Sequence, residues 1–354
     1  MFHKAALTVF ALVAAAFAAP SSPGGLSVKV SAPGSVTSVD GLKIVASVTN
    51  SGTEDVTVVN YGTVLDTRPT KSFTVTSNGK VAGFTGIKVS LNMNTLSESA
   101  YTTIKAGETV TVEHDISNLY DFESLGAGNF EIAPNAKLPV VVSKVAGSSP
   151  ELTPFVFEST PTASVKVTGD VARRSLPGGE KAKRATVSCS NSSQASFISA
   201  SQTEGKALAS GAASYITANS TSSLFTAYYK TNSPSTVASY FSAVANENSS
   251  SRTLSCSDPY GVCDGVCIAT ICSITDAPLH SCSIFYNEVA SSSLCSGTTV
   301  ASRNIRGGTT LHELTHAVDN TDDVTYGCSA DQALSASNQL INADNYNCEL
   351  FFPF

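Results

Sequence analysis

The first 188 residues contain no cysteine, whereas all nine cysteines lie between Cys189 and Cys348. A disulfide-stapled domain can therefore exist only in the second half, and the first half is held by packing alone or need not survive. No Cys-x-x-Cys pair occurs, nor any Cys/His spacing of a structural zinc site, although Cys263 and Cys267 stand close. Beyond the N-terminal segment no apolar run is long enough to span a bilayer, so there is no candidate membrane helix. Histidine is scarce, with five in 354 residues. Basic residues are scarce past Arg184, where five Lys and Arg face thirteen Asp and Glu, a balance of −8. Such an acidic half is a poor partner for nucleic acid and attracts cationic proteins at long range.

What is present begins with Lys4 ahead of a short apolar run from Ala5 to Phe17, closed by the small residues Ala16 and Ala18. That is the pattern of a secretory signal peptide, residues 1–18, with a start at Ala19 and an extracellular destination. Residues 26 to about 168 then alternate apolar and polar in short runs, among them Leu26–Val30, Lys43–Val48, Val56–Tyr61, Phe73–Thr76, Val81–Phe84, Thr109–Val112 and Val140–Val145. This is an all-β, sandwich-like pattern. Ser77-Asn78-Gly79-Lys80 between two such runs predicts a type I′ hairpin, since Asn-Gly accepts positive φ at both central positions.

From Ser190 to Asn248 apolar residues take helical spacing and predict at least two helices; others are expected over Thr310–Val318 and Ala330–Asn345. Three glycosylation sequons, at Asn191, Asn219 and Asn248, fall in this half. Between the halves Arg173-Arg174, a Ser-Leu-Pro-Gly-Gly linker and Lys181-Ala182-Lys183-Arg184 form an exposed dibasic processing site. The expected organisation is a two-domain precursor: signal 1–18, β-rich propeptide 19–184, and a mainly α, disulfide-stapled domain 185–354 that begins at Ala185.

His312-Glu313-Leu314-Thr315-His316 is His-Glu-x-x-His inside a predicted helix. Four residues make about one turn, so both imidazoles leave one face and can bind one metal ion. Glu313 is placed to act as a base on water rather than to bind the metal. This is the pattern of a zinc peptidase, with one Zn2+ per domain. A third ligand is needed; His280 is the only other histidine of this half and Glu349 the only later glutamate, so a nearby carboxylate is expected, with Asp319, Asp322 and Asp323 all in range.

Asn320-Thr321-Asp322-Asp323-Val324-Thr325-Tyr326-Gly327 follows the motif. Here the chain resembles the deuterolysins, the fungal neutral proteases of the aspzincin group, whose signature is His-Glu-x-x-His followed by Gly-Thr-x-Asp-x-x-Tyr-Gly. The resemblance extends to Cys189-Ser190-Asn191-Ser192-Ser193, Cys256-Ser257-Asp258-Pro259-Tyr260-Gly261 and Asn342-Ala343-Asp344. It implies a zincin-type catalytic domain, His312, His316 and Asp323 as zinc ligands, Glu313 as general base and Tyr326 as donor to the oxyanion. It also implies a preference for basic proteins, and pairing of Cys189 with Cys256 and of Cys263 with Cys282. Two departures stand out: Asn320 replaces the first Gly of the signature, and the spacer before the Asp is short. A monomeric secreted zymogen, with its own propeptide as intramolecular partner, is the expectation; the rival is a secreted binding or adhesion protein with a structural metal site.

Overall fold

The computed structural model describes residues 25–91, 93, 96–144, 150–172, 174, 186–249, 252–263, 267–272, 279–294 and 296–350. The expected signal segment, the start at Ala19 and the cut after Arg184 lie outside them, as does Cys295.

The first half is built from β1 (Leu26–Ser31), β2 (Ser35–Ser38), β3 (Lys43–Asn50), β4 (Val56–Val59), β5 (Phe73–Ser77), β6 (Lys80–Val81), β7 (Ile87–Leu91), β8 (Tyr101–Ile104), β9 (Thr109–Asp115), β10 (Gly128–Pro134), β11 (Lys137–Ser143), β12 (Glu151–Val156) and β13 (Ala163–Asp170). Alternation explains them: Leu26, Val28 and Val30 of β1 turn inward while their neighbours face solvent. Twelve of these strands form three sheets, ordered β1-β3-β9, β2-β13-β10-β5-β6 and β12-β11-β4-β8. All three contribute to one apolar core that includes Ile44, Val58, Phe73, Phe130, Leu138 and Val165, so the β region closes with three sheets where a plain sandwich has two. The expected hairpin is present, with Ser77 paired to Lys80 and φ of 50° at Asn78 and 75° at Gly79.

In the second half come β14 (Thr186–Ser188), α1 (Ser192–Ala218), α2 (Ser223–Tyr229), α3 (Pro234–Ala245), β15 (Thr253–Ser255), β16 (Cys267–Cys272), β17 (Leu279–Ser281), α4 (Arg306–Asp319), α5 (Cys328–Ala333), α6 (Ala336–Ile341) and α7 (Ala343–Cys348). The mainly α expectation needs amending, because these strands form a five-stranded sheet in the order β14-β15-β17-β16-β7. Its last strand, β7, comes from the first half. The single helix expected over Ala330–Asn345 is instead α5, α6 and the start of α7. It breaks where Ser335 caps α6 through its side chain and where the fully buried Asn342 spends its amide on the preceding loop.

Three disulfides link Cys189 to Cys256, Cys263 to Cys282, and Cys328 to Cys348. The first two are the pairs implied by resemblance, and the third joins residues that the sequence left open. Asn191, Asn219 and Asn248 are exposed, as sequons must be to receive a glycan. Among the described residues no helix is long and apolar enough to cross a membrane.

Candidate active site

Helix α4 is polar in sequence yet buried almost throughout, from Gly307 to Ala317. It fits because α1 crosses it at glycines: a Cβ on Gly205 would lie 2.9 Å from the Gly307 carbonyl, and one on Gly307 would lie 2.7 Å from the Glu204 Cβ. Its hydroxyls are satisfied, since Thr309 donates to Glu288 at 2.8 Å and Thr315 to the His312 carbonyl at 2.7 Å, while Thr310 and Ser201 lie 3.0 Å apart. The helix ends at Asn320 in the left-handed region, φ 54°, with its N–H on the Thr315 carbonyl. Asn is one of the few residues other than Gly that adopt this conformation, so the turn forms despite the departure from the signature.

That turn brings Asp323 back over the helix. Asp323 Oδ1 lies 3.0 Å from His312 Nε2 and 3.3 Å from His316 Nε2. The two imidazoles stand edge to face with centroids 4.9 Å apart, and one donor atom from each of the three residues falls within 4.8 Å of the others. Glu313 is fully buried beside them, and neither of its carboxylate oxygens finds a hydrogen-bond partner among the described residues. An unpaired buried carboxylate is costly unless something else meets it. Two imidazoles and the Asp323 carboxylate, with the Glu313 carboxylate adjacent, suit a catalytic divalent ion.

The other two aspartates go elsewhere. Asp322 is 2.8 Å from Lys71 Nζ and 3.4 Å from Lys88 Nζ. Asp319 sits at the end of α4, its carboxyl pushed up to about 7 by burial. Tyr326 lies near-parallel to the His312 ring at 6.2 Å, and its hydroxyl donates to the Val89 carbonyl. His280 and His114 are buried away from the site, His280 against Tyr260 and His114 against Phe73.

Electrostatics favour a cation here. Burial opposes charge on His312, but hydrogen bonds to Asp323 and Asp344 win and raise it to about 10. Burial also opposes ionisation of Asp323, yet the two imidazoles hold it well below the usual carboxylate range. Burial pushes Glu313 up to about 8, the neighbouring His312 acting against it.

The profile of the deuterolysin metalloprotease (M35) family matches residues 2–351. The chain belongs to that family. A neutral protease 2 homolog of Neosartorya fischeri is 34% identical over 96% of this chain and 92% of its own. Another, from Aspergillus oryzae, is 35% identical over 87% and 86%. A solved zinc peptidase from Grifola frondosa is matched over 45% of this chain and 95% of its own at 19% identity, with a TM-score of 0.37. The resemblance seen in the motif thus holds across the chain; membership makes it a metalloprotease and disfavours the binding-protein rival.

In this deuterolysin-family site the structure adds residues that the motif alone did not assign. Asp344 Oδ1 lies 3.6 Å from His312 Nδ1 and accepts from Arg303 Nε at 2.9 Å, while Asp344 Oδ2 accepts from the Gly327 N–H at 2.6 Å. Asn342 Oδ1 accepts from the N–H groups of Val324 and Thr325 at 2.9 and 3.2 Å. On the other histidine, Thr321 O is 2.8 Å from His316 Nδ1. These contacts fix the ring orientations and the loop that carries Asp323 and Tyr326. Thr321 stood in the signature and Asn342 and Asp344 in the matching stretch Asn342-Ala343-Asp344, but neither gave a hint of which atoms they would hold.

Proposed function

We propose that this chain is the secreted zymogen of a zinc endopeptidase that prefers basic proteins. The observation that carries the catalytic reading is the convergence of His312 Nε2, His316 Nε2 and Asp323 Oδ1 beside the unpaired Glu313 carboxylate. His312, His316 and Asp323 would hold one zinc ion, since two nitrogens and an oxygen with a fourth position open is its usual catalytic donor set. When bound, the ion supplies Lewis-acid polarisation of the scissile carbonyl and lowers the pKa of water. Glu313 takes a proton from the attacking water and returns it to the leaving amine. Tyr326 donates to the oxyanion that develops on the carbonyl oxygen. Asp344 and the Thr321 carbonyl hold the imidazole rings in the required orientation.

Support for the finer statements comes from the sequence. The N-terminal segment has the form of a signal peptide, and the dibasic linker offers a cut after Arg184 that would separate a propeptide, 19–184, from a monomeric mature domain, 185–354. The −8 balance of that domain suits cationic protein substrates and not nucleic acid. In the structure the first half lies over the second, with Lys71 and Lys88 on Asp322, which fits a role as intramolecular partner.

Chelation should abolish peptidase activity of the processed protein and zinc should restore it. Glu313→Gln should keep one metal per chain by elemental analysis and lose about 10²- to 10⁴-fold in turnover. Full turnover in the Gln variant would overturn the assignment.

A further inference from the structure

In the catalytic sheet β14, β15 and β17 run parallel, and β16 is antiparallel to β17. Without β7, β16 would be an open edge beside α4, which packs against both strands. An open edge offers unpaired N–H and C=O groups to any extended peptide, and this is a common way to bind one. Here β7 fills it, antiparallel, with Leu91 opposite Cys267, Val89 opposite Thr270, Lys88 opposite Ile271 and Ile87 opposite Cys272.

Three residues of β7 tie it to the reactive apparatus. The Val89 carbonyl accepts from the Tyr326 hydroxyl, and the Leu91 carbonyl accepts from Arg303 Nη1 at 3.4 Å. Lys88, only 5% exposed, donates to the Thr321 carbonyl and lies 3.4 Å from Asp322 Oδ1. Adjacent strand residues face opposite ways. Ile87, Val89 and Leu91 accordingly pack with Val59, Tyr61 and Val262, and Lys88 turns to the loop after α4. A buried ammonium is tolerable only where carboxylate and carbonyl oxygens meet it, and Asp322 and Thr321 do.

We propose that β7 is a pseudosubstrate, with the Val89–Ser90 peptide in the place of the scissile bond and Lys88 in an acidic subsite formed by Asp322 and the Thr321 carbonyl. This rests on the peptidase reading above, because it takes the Tyr326 hydroxyl as the mark of the reacting carbonyl. The subsite accepts a lysine-type side chain on the residue immediately before the one that supplies the scissile carbonyl. The same pocket thus blocks the uncut chain and selects substrates once the first half has left.

The test uses the full chain, uncut, with hydrogen exchange of residues 267–272 and turnover of a quenched peptide as separate readouts. Lys88→Glu sets like charges against Asp322 and should raise exchange of that segment and turnover by the uncut chain at least tenfold each. Lys88→Arg should leave both near wild type. If Lys88→Glu fails to accumulate folded, Asp322→Asn removes the other partner and should raise exchange likewise. Unchanged protection of 267–272 in a folded variant of either kind overturns the pseudosubstrate. A substrate pair completes the test: after processing, a peptide with Lys at the subsite position should be turned over at least tenfold faster than its norleucine twin, a preference that Asp322→Asn should erase. Equal turnover by the wild-type enzyme overturns the subsite. Raised exchange without peptidase activity in any processed form would sink the peptidase reading while leaving strand docking intact; full activity with no response to Lys88 would do the reverse.

Discussion

The two halves of this chain bury different things. Most buried apolar residues of the β region form one core drawn from three sheets, a smaller cluster around Val59, Tyr61 and Ile87 being shared with Val262, and no disulfide occurs among its described residues. Its sheets expose hydroxyl pairs such as Ser47 with Thr111, Thr49 with Thr109, and Thr57 with Thr103. In the catalytic half the apolar core is divided into separate clusters, and Glu313, Asp331, Asp344 and Glu349 are each fully inaccessible. Among the described residues three disulfides fall there. Burial of apolar area can sustain the first region by itself. The second carries desolvated carboxylates at its centre, which oppose folding until a cation or a hydrogen bond meets them, and one of its covalent staples, Cys328–Cys348, lies beside the buried Asp331.

The comparison breaks most visibly at the β core. Phe130 is fully buried and meets Phe122 edge to face at 5.3 Å. Phe130→Ala should cost about 3–5 kcal/mol in the unfolding of the β region, with no response to chelator. Denaturant unfolding followed by hydrogen exchange in each half checks both parts; a loss that depends on metal would show that the halves are not independently sustained. Next comes Cys328–Cys348, which closes 20 residues around α5 to α7. Replacing both by Ala should lower stability of the catalytic half by about 3 kcal/mol on loop-entropy grounds and leave the β region unaffected. If the β region melted with it, the staple would be serving the whole chain.

A hundredfold effect, about 2.8 kcal/mol, separates the neighbouring aspartates. Asp323→Ala should weaken zinc binding by more than about 100-fold, beyond the range of 10- to 100-fold typical of a supporting residue. Asp322→Ala should stay below that range, since its carboxylate meets Lys71 and Lys88 instead. Competition titration against a chromogenic chelator reads both, and tight zinc in Asp323→Ala with loss in Asp322→Ala would move the ligand by one residue.

How much of this was legible in the chain follows the same divide. The hairpin at Ser77–Lys80 was readable because Asn-Gly dictates backbone angles locally, and α4 because His-Glu-x-x-His requires one helical turn. Residues Ile87 to Leu91 alternate as any strand does, but nothing local shows that the partner strand, β16, stands on the far side of the linker. The stripe from Ala330 to Ile341 suggested one helix, because periodicity records burial and says nothing of a side chain such as Asn342 that is taken up by another loop. Asp344 was visible only as part of a matching stretch; its bonds to Arg303 and Gly327 exist only in three dimensions.

The effect that is smallest per measured step, at most about 1.4 kcal/mol per pH unit, concerns one buried carboxyl of the catalytic half. Glu288 Oε1 accepts from the Thr309 hydroxyl at 2.8 Å, and Oε2 finds no partner among the described residues. Burial pushes this carboxyl up to about 8, with the Thr309 hydrogen bond and Arg303 acting against the shift. In the unfolded chain a glutamate titrates near about 4.3. Between these values the native state holds one proton more than the unfolded state, so its contribution to stability falls as pH rises, by at most about 1.4 kcal/mol per unit, and levels off above about 8. Asp319, pushed up to about 7 by burial, adds a slope of the same sign in wild type and variant alike. Glu288→Gln keeps an acceptor for Thr309 and removes the proton, so the variant should lose less stability than wild type from pH 5 to 8 and overtake it at the upper end. Denaturation midpoints of the catalytic half at each pH measure this directly. Parallel curves would mean that Glu288 is ionised throughout, and the contrast between an apolar half and a half of buried carboxyls would then rest on the metal site and its supports alone.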